Sequence, residues 1–412
     1  MDDSLCPCDL LLYTWNHELN FYNMLRSSMK KKILIVNDLL LGGGVEKLML
    51  DLTWAIHDKY EITIMTDRYD ESFGKLYPDN VTYIWQSDEY TPKNQIVRAI
   101  YRRTIKKLKY RKFRKKLVDA HYDYAIAIKE GWKMLDVSRI PAAQKYCWVH
   151  TDYNAYYYTQ GIYKTREHEL EIMKQFENIV CVSHDIAKSI KEVIGDPGNI
   201  IVKYNPIDVD NVIEKSKEPV VEIDSWDEQQ KNPKAKRPVR FVTVGRQNYQ
   251  KSYLNLLEAC HMLEREGLDF EMLVVGAKEP WGDESYRLEC AMKRLEIKNV
   301  KFLGGRKNPY KYMAIADWFL SSSIFEGYSL VSQEAAVLDV PMLLTDVSGV
   351  RELLGDSEYG IVMEPSVVGI YEGMKRVIEN PELHDQYKQK IMERKGIITY
   401  QERIDEIEKL FV

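Results

Sequence analysis

From Ile33 onward, short apolar runs alternate with longer stretches in which apolar residues recur at helical spacing. The runs Ile33–Asn37, Glu61–Thr66, Val81–Trp85, Tyr122–Ile128, Lys145–Val149, Asn178–Val182 and Ile200–Tyr204 predict strands. Helical periodicity between them is clearest at Val45–Ile56 and Asp185–Val193. A polar, proline-containing stretch, Lys215–Pro238, separates this series from a second one. The second series predicts strands at Val239–Val244, Phe270–Val275, Val300–Leu303, Trp318–Ser321 and Pro341–Thr345. Helices are expected at Ser252–Glu264, Tyr286–Leu295, Ser329–Leu338 and Ile370–Glu379. The strands are almost continuously apolar, as parallel strands covered by helices on both faces must be. An α/β chain with two doubly wound domains is therefore expected.

Glycine marks the turns that follow the first strands. Gly42-Gly43-Gly44 leads into the first helix, and Gly245 and Gly276 stand after strands of the second series. Near the end of that series comes Phe325-Glu326-Gly327-Tyr328-Ser329-Leu330, followed by Glu334-Ala335-Ala336. This reads as a strand end, a glycine turn and the opening of a helix. Such a turn admits close approach of a ligand, and the N–H groups that open a helix favour an anion. Gly245-Arg246-Gln247-Asn248-Tyr249-Gln250-Lys251-Ser252 puts two cations on one loop before another helix, a fork and a point charge suited to a diphosphate.

The run from Phe325 to Ala336 closely resembles the E-x7-E signature of the retaining family-4 glycosyltransferases of the GT-B fold. The order of elements resembles that family from about Lys31 to the C-terminus. The resemblance implies two Rossmann-like doubly wound domains facing each other across a cleft. Residues 29–206 would form the acceptor-side domain and 207–396 the nucleotide-sugar-binding domain, with 397–412 a helix crossing back to the first. It further implies that Glu334 binds the nucleotide ribose and that Glu326 faces the donor sugar. The backbone of Gly327, Tyr328, Ser329 and Leu330 would then hold sugar hydroxyl and phosphate oxygens. Gly245, Arg246 and Lys251 match the family's phosphate loop, with Ser252 where relatives have a second glycine. Gly43 and Gly44 match its Gly-Gly loop, and His150 in Trp148-Val149-His150-Thr151-Asp152 matches a histidine beside the donor sugar. Glu326, His150, Arg246 and Lys251 are thus the expected catalytic groups.

The expected reaction is transfer of a sugar from a nucleotide-diphosphate donor, with UDP the expected nucleotide. The acceptor would be a glycan or polyprenol-linked saccharide of surface polysaccharide or glycolipid assembly. Neither a cofactor nor a metal is expected, because the cations and helix-end amides neutralise the leaving diphosphate. Asp208-Val209-Asp210 has the spacing of the D-x-D metal motif of the other large glycosyltransferase fold. It follows Tyr204-Asn205-Pro206-Ile207, however, which resembles the family's interdomain connector, so a structural role is expected. Ser183 in Ser183-His184-Asp185 is expected to cap a helix, since no strained Gly-x-Ser-x-Gly turn surrounds it. Two rivals share the fold: a nucleotide-sugar 2-epimerase, whose catalytic signatures are not seen, and a non-catalytic partner subunit, which would tolerate loss of Arg246, Lys251 or Glu326.

Composition refines the picture. Among the 412 residues no run of about 18 apolar residues offers a membrane span. The six cysteines are few, and four lie singly in apolar segments, which suits buried thiols in a reducing cytosol. Cys6-Pro7-Cys8 lacks partners at ligand spacing. Residues 1–28 make no signal peptide, and Met29-Lys30-Lys31-Lys32 reads as a natural start, so they are either an early start-codon reading or an extension. The net charge of −5 conceals an asymmetry: residues 29–206 carry 29 Lys+Arg against 23 Asp+Glu, leaving the second half acidic. Residues 101–117 hold ten cations and no acid. They are either a solvated helix or a face for an anionic leaflet, and no recognised nucleic-acid module accompanies them. The expected location is cytoplasmic, peripheral on the inner face of the plasma membrane. Tyr153, Tyr156, Tyr157 and Tyr158 either offer apolar faces to an acceptor or fill a loop.

Overall fold

The computed structural model describes residues 30–38, 43–67, 74–85, 104, 111, 115, 117, 119–221, 237–279, 282–394 and 400–411. These fall into two compact units. One takes the described residues up to Ala127 together with Asp136–Lys145; the other takes Ile128–Leu135 and the described residues from Tyr146 on. The expectations for residues 1–28, Gly42 and nearly all of 101–117 lie outside the described residues.

In the first unit, β1 (Lys32–Val36), β2 (Glu61–Thr66), β3 (Thr82–Trp85) and β4 (Tyr122–Ala127) form parallel order β3-β2-β1-β4. Ile33, Leu34, Ile35 and Val36 are all fully buried, which explains the unbroken apolar run. Helix α1 (Gly44–Ile56) opens at Gly43, whose N–H donates to the Glu46 carboxylate at 2.7 Å. It buries Leu48, Met49, Leu52 and Ile56, one stripe at helical spacing.

The second unit holds the rest of β5 (Ala142–Val149) beside β6 (Asn178–Cys181) and β7 (Ile200–Val202), all parallel. It also holds a six-stranded parallel sheet in the order β10-β9-β8-β11-β12-β13. These strands are β8 (Val239–Val244), β9 (Phe270–Val275), β10 (Val300–Gly304), β11 (Trp318–Ser321), β12 (Met342–Thr345) and β13 (Ile361–Met363). The core of this sheet packs Phe241, Met272, Val274, Leu320 and Leu343 against Leu256, Leu257, Ile370 and Met374 of the covering helices. Within it, Arg240 donates to Glu271 at 2.7 Å, so the buried guanidinium and carboxylate compensate each other.

Successive strands from β8 run outward one way through β9 and β10, and from β11 the other way through β12 and β13. The order reverses between β8 and β11, and loops leaving the carboxyl ends of two such strands flank a ligand crevice in open α/β sheets. The last helix is Tyr400–Glu408, ending in a 3-10 turn whose Phe411 ring stands edge-on to Tyr146 at 5.6 Å. The three-residue strand β13 and the helices Trp132–Ser138, Arg166–Met173, Val209–Ser216 and Glu382–Glu393 were not expected.

Candidate active site

The loops that follow β8 and β11 meet at the reversal point. After β8 the chain closes a 3-10 turn, Tyr249–Lys251, capped by the Asn248 side chain. Ser252 then adopts φ +48°, a left-handed conformation in which glycine is at ease. That turn brings Lys251 Nζ to Glu326 Oε1 at 2.6 Å, with the two side chains only 16% and 11% exposed. Ser323 Oγ donates to the same oxygen at 2.7 Å, and Gln250 Nε2 donates to Oε2 at 3.2 Å. Three donors therefore fix one rotamer of Glu326. The loops are stitched further by Ile324 N to Gln250 O at 3.0 Å and Ser322 Oγ to Lys251 O at 2.7 Å.

Gly327 is required by close packing. A Cβ there would lie 2.1 Å from the His150 carbonyl oxygen and 3.1 Å from Val182 Cγ2. Ser183 caps helix α4 (His184–Val193) by accepting from Ile186 N, as expected, and its hydroxyl also donates to the Gly327 carbonyl at 2.9 Å. Glu326 is thus held from both sides, by the β8 loop and by the ends of β5 and β6. His150 donates from Nε2 to Ile128 O at 2.9 Å, because a carbonyl only accepts, and its backbone N–H donates to the buried Glu130 carboxylate at 3.1 Å.

The other expected residues are distributed over both units. Gly245 lies under the Lys251 stem, where a Cβ would meet Cε at 2.7 Å. Gly276 lets the end of β9 pass close to Gly245, since a Cβ would come within 1.7 Å of its carbonyl oxygen. Arg246 is 43% exposed, and its guanidinium stands 3.7 Å from Glu279. Ser329 caps helix α9 (Leu330–Val337), accepting from Ser332 N, so Leu330 is its first residue. The Tyr328 ring is buried and packs on Tyr204 at 4.9 Å. Glu334 is 3% exposed and accepts from the Tyr310 hydroxyl at 3.0 Å. Gly43 and Gly44 belong to the first unit, at the start of α1. Asp208 caps Val209–Ser216, accepting from Asn211 N at 3.0 Å. Among the described residues no three or more His, Cys, Asp or Glu side chains converge in a way that could hold a metal ion.

Two carboxylates escaped the sequence reading. Glu130 is one, and no local pattern marks it. Glu169 is the other: fully buried, it accepts from Tyr153 at 3.0 Å, Tyr157 at 2.8 Å and Thr159 at 3.2 Å. Burial pushes its carboxyl above the usual range, against the opposing pull of those hydroxyls. Burial likewise raises the Tyr157 phenol to about 12, helped by its bond to Glu169. The tyrosine loop is therefore anchored from beneath. At its tip Tyr156, 51% exposed, stacks on Phe325 at 5.1 Å.

Residues 224–394 match the model of the glycosyl transferases group 1, and residues 42–211 match that of glycosyltransferase family 4. The chain is 30% identical over 201 residues to the N-acetylgalactosamine-N,N'-diacetylbacillosaminyl-diphospho-undecaprenol 4-alpha-N-acetylgalactosaminyltransferase of Campylobacter jejuni, covering 48% of this chain and 49% of that protein. It is 28% identical over 127 residues to the amylovoran biosynthesis glycosyltransferase AmsK of Erwinia amylovora, covering 29% of this chain and 30% of that one. The chain thus aligns with about half the length of the first curated relative and under a third of the second. In fold it resembles Anabaena HepE, solved in complex with UDP, with a TM-score of 0.70 at 16% identity over 93% of this chain and 99% of that one. Two parallel Rossmann-like sheets and family models matched in both halves show that this chain belongs to the family-4 glycosyltransferases of the GT-B fold.

Proposed function

We propose that the chain is a retaining glycosyltransferase that moves a sugar from a UDP-sugar to a glycan or polyprenol-linked acceptor, in surface polysaccharide or glycolipid assembly, without a metal. The observation that carries this reading is the Lys251–Glu326 pair at the strand-order reversal, locked by Gly327 against His150. Lys251 and Arg246 would stabilise charge on the departing diphosphate, a contribution of about 100–1,000-fold in rate for one well-placed donor. The carboxylate of Glu326 would face the donor sugar as positive charge develops at its reacting carbon. His150 would contact that sugar, and the opening amides of α9 would hold phosphate oxygen. Glu334 would hold the ribose. The capping role of Asp208 supports the metal-free reading.

In this reading residues 29–206 form the acceptor-side domain, 207–396 the donor side, and 397–412 the returning helix. The Campylobacter relative's undecaprenol-linked substrate and the UDP bound to HepE support the choice of acceptor and nucleotide. Basic residues 101–117 would rest on an anionic membrane face from the cytoplasmic side. The test is UDP release from a panel of UDP-sugars with a lipid-linked saccharide acceptor, in excess chelator. Turnover that survives the chelator is expected. Loss that manganese or magnesium restores would overturn the metal-free mechanism, and no UDP release from any donor would overturn the function.

A further inference from the structure

The last helix, Tyr400–Glu408, docks through apolar residues: Ile404, Ile407 and, just beyond it, Phe411 are buried. A surface pair, Glu406 with Lys203, adds to this. Docking therefore leaves unexplained why the same helix turns a guanidinium inward, with Arg403 Cζ 5.2 Å from the centre of the Tyr204 ring. Burial disfavours that charge, and an apolar side chain of similar volume often serves a fold as well or better. The contacts of Arg403 single out another use. Its Nη1, which carries two hydrogens, donates to Asn205 O at 2.5 Å and to Gln333 Oε1 at 2.7 Å. Gln333 is fully buried in α9, immediately before Glu334, and its Nε2 donates to Ser329 O at 3.3 Å. Arginine only donates and a carbonyl only accepts, so the orientation of this amide is fixed. One end of it is committed to the cap residue of α9 and the other to Arg403.

We propose that Arg403 is a positioning residue for nucleoside diphosphate binding. Held on Asn205, it fixes Gln333 and so the first turn of α9, which presents the opening amides and leads into Glu334. The inference rests on the reading above that this turn holds UDP, and adds to it a residue 70 positions downstream of Gln333. Arg403 acts through another side chain and is not assigned a contact with the nucleotide itself.

Titration calorimetry with UDP on the full chain tests this. Arg403→Gln should weaken UDP binding about tenfold, the low end of what losing the supporting partner of a ligand-holding group costs at metal sites. Gln333→Met keeps the volume and removes the acceptor. It should weaken UDP similarly without touching the last helix, and it keeps the test decisive if Arg403→Gln does not fold. The double variant should bind no more weakly than the poorer single one, since both changes break one link. In turnover, the loss should appear in donor KM, with the single-turnover rate at saturating donor near wild type. Glu406→Gln, which removes the Lys203 pair from the same helix, should leave UDP affinity unchanged. Hydrogen exchange should show residues 400–411 still protected in Arg403→Gln. Unchanged UDP affinity in either single variant, losses that multiply in the double variant, an equal loss in Glu406→Gln, or deprotection of 400–411 in Arg403→Gln would each overturn the proposal. Failure of UDP to bind the wild-type chain would instead sink the transferase reading, and the proposal with it.

Discussion

Gly327→Ala is the smallest perturbation that addresses the whole construction of the site. The added methyl would start 2.1 Å from the His150 carbonyl oxygen, where ordinary contact begins at 3.4 Å, so loop and strand end must part by about 1.3 Å. The obstacle is backbone on one side and Val182 on the other, so no flexible side chain can absorb it. Overpacking of this kind costs about 1–3 kcal/mol of stability. The larger effect falls on Glu326, the adjacent residue, since a displacement of about 1 Å at a reacting group can cost roughly 100-fold in rate. Ser183→Ala is the companion: it removes the 2.9 Å bond to the Gly327 carbonyl and the helix cap without adding bulk. It should lower stability by about 1 kcal/mol, and turnover much less than Gly327→Ala does. Thermal midpoints and steady-state UDP release on the two variants check this. A Gly327→Ala protein with near-wild-type turnover would refute the claim that packing against His150 positions Glu326.

Two further outcomes are expected. Burial raises the Glu169 carboxyl above its ordinary value, so its contribution to stability is full below about pH 4.3, the unfolded value, and is lost as pH rises through the folded one. Glu169→Gln should therefore flatten the dependence of the thermal midpoint on pH between 4 and 7, and an unchanged slope would contradict the assignment. Replacing Arg102, Arg103, Lys106, Lys107, Lys109, Arg111 and Lys112 with glutamine should weaken co-sedimentation with anionic liposomes while sparing turnover on a short soluble acceptor. Unchanged co-sedimentation at physiological salt would assign the run to ordinary solvation.

Much of this architecture was legible because parallel strands buried on both faces leave continuous apolar runs; Glu61–Thr66, Val239–Val244, Phe270–Val275 and Trp318–Ser321 have the expected bounds. Val300–Gly304 and Met342–Thr345 differ by one residue at one end. Ile361–Met363 was missed because three apolar residues carry no period, and Arg166–Met173 because its acidic first turn masks the buried Ile172 and Met173. At the site, the glycine turn and the two glutamates could be read locally. Partners remote in the chain could not. Nothing near Lys251 says that its ammonium meets Glu326, and nothing near Ser183 says that its hydroxyl reaches Gly327, 144 positions away. Glu130 stands alone in its segment, and only the fold carries it to the His150 backbone.

The roles of Glu326 and Glu334 are the centre of the account, and single-turnover kinetics with saturating donor separate them most directly. Glu326→Gln keeps the shape but removes the charge that the proposed mechanism sets beside the reacting carbon, and should lower the chemical rate by about 100-fold or more with little change in donor KM. Glu334→Gln should mainly raise donor KM, because a ribose contact is made equally in ground and transition states. Near-wild-type chemistry in Glu326→Gln would remove this carboxylate from the reaction and contradict the account.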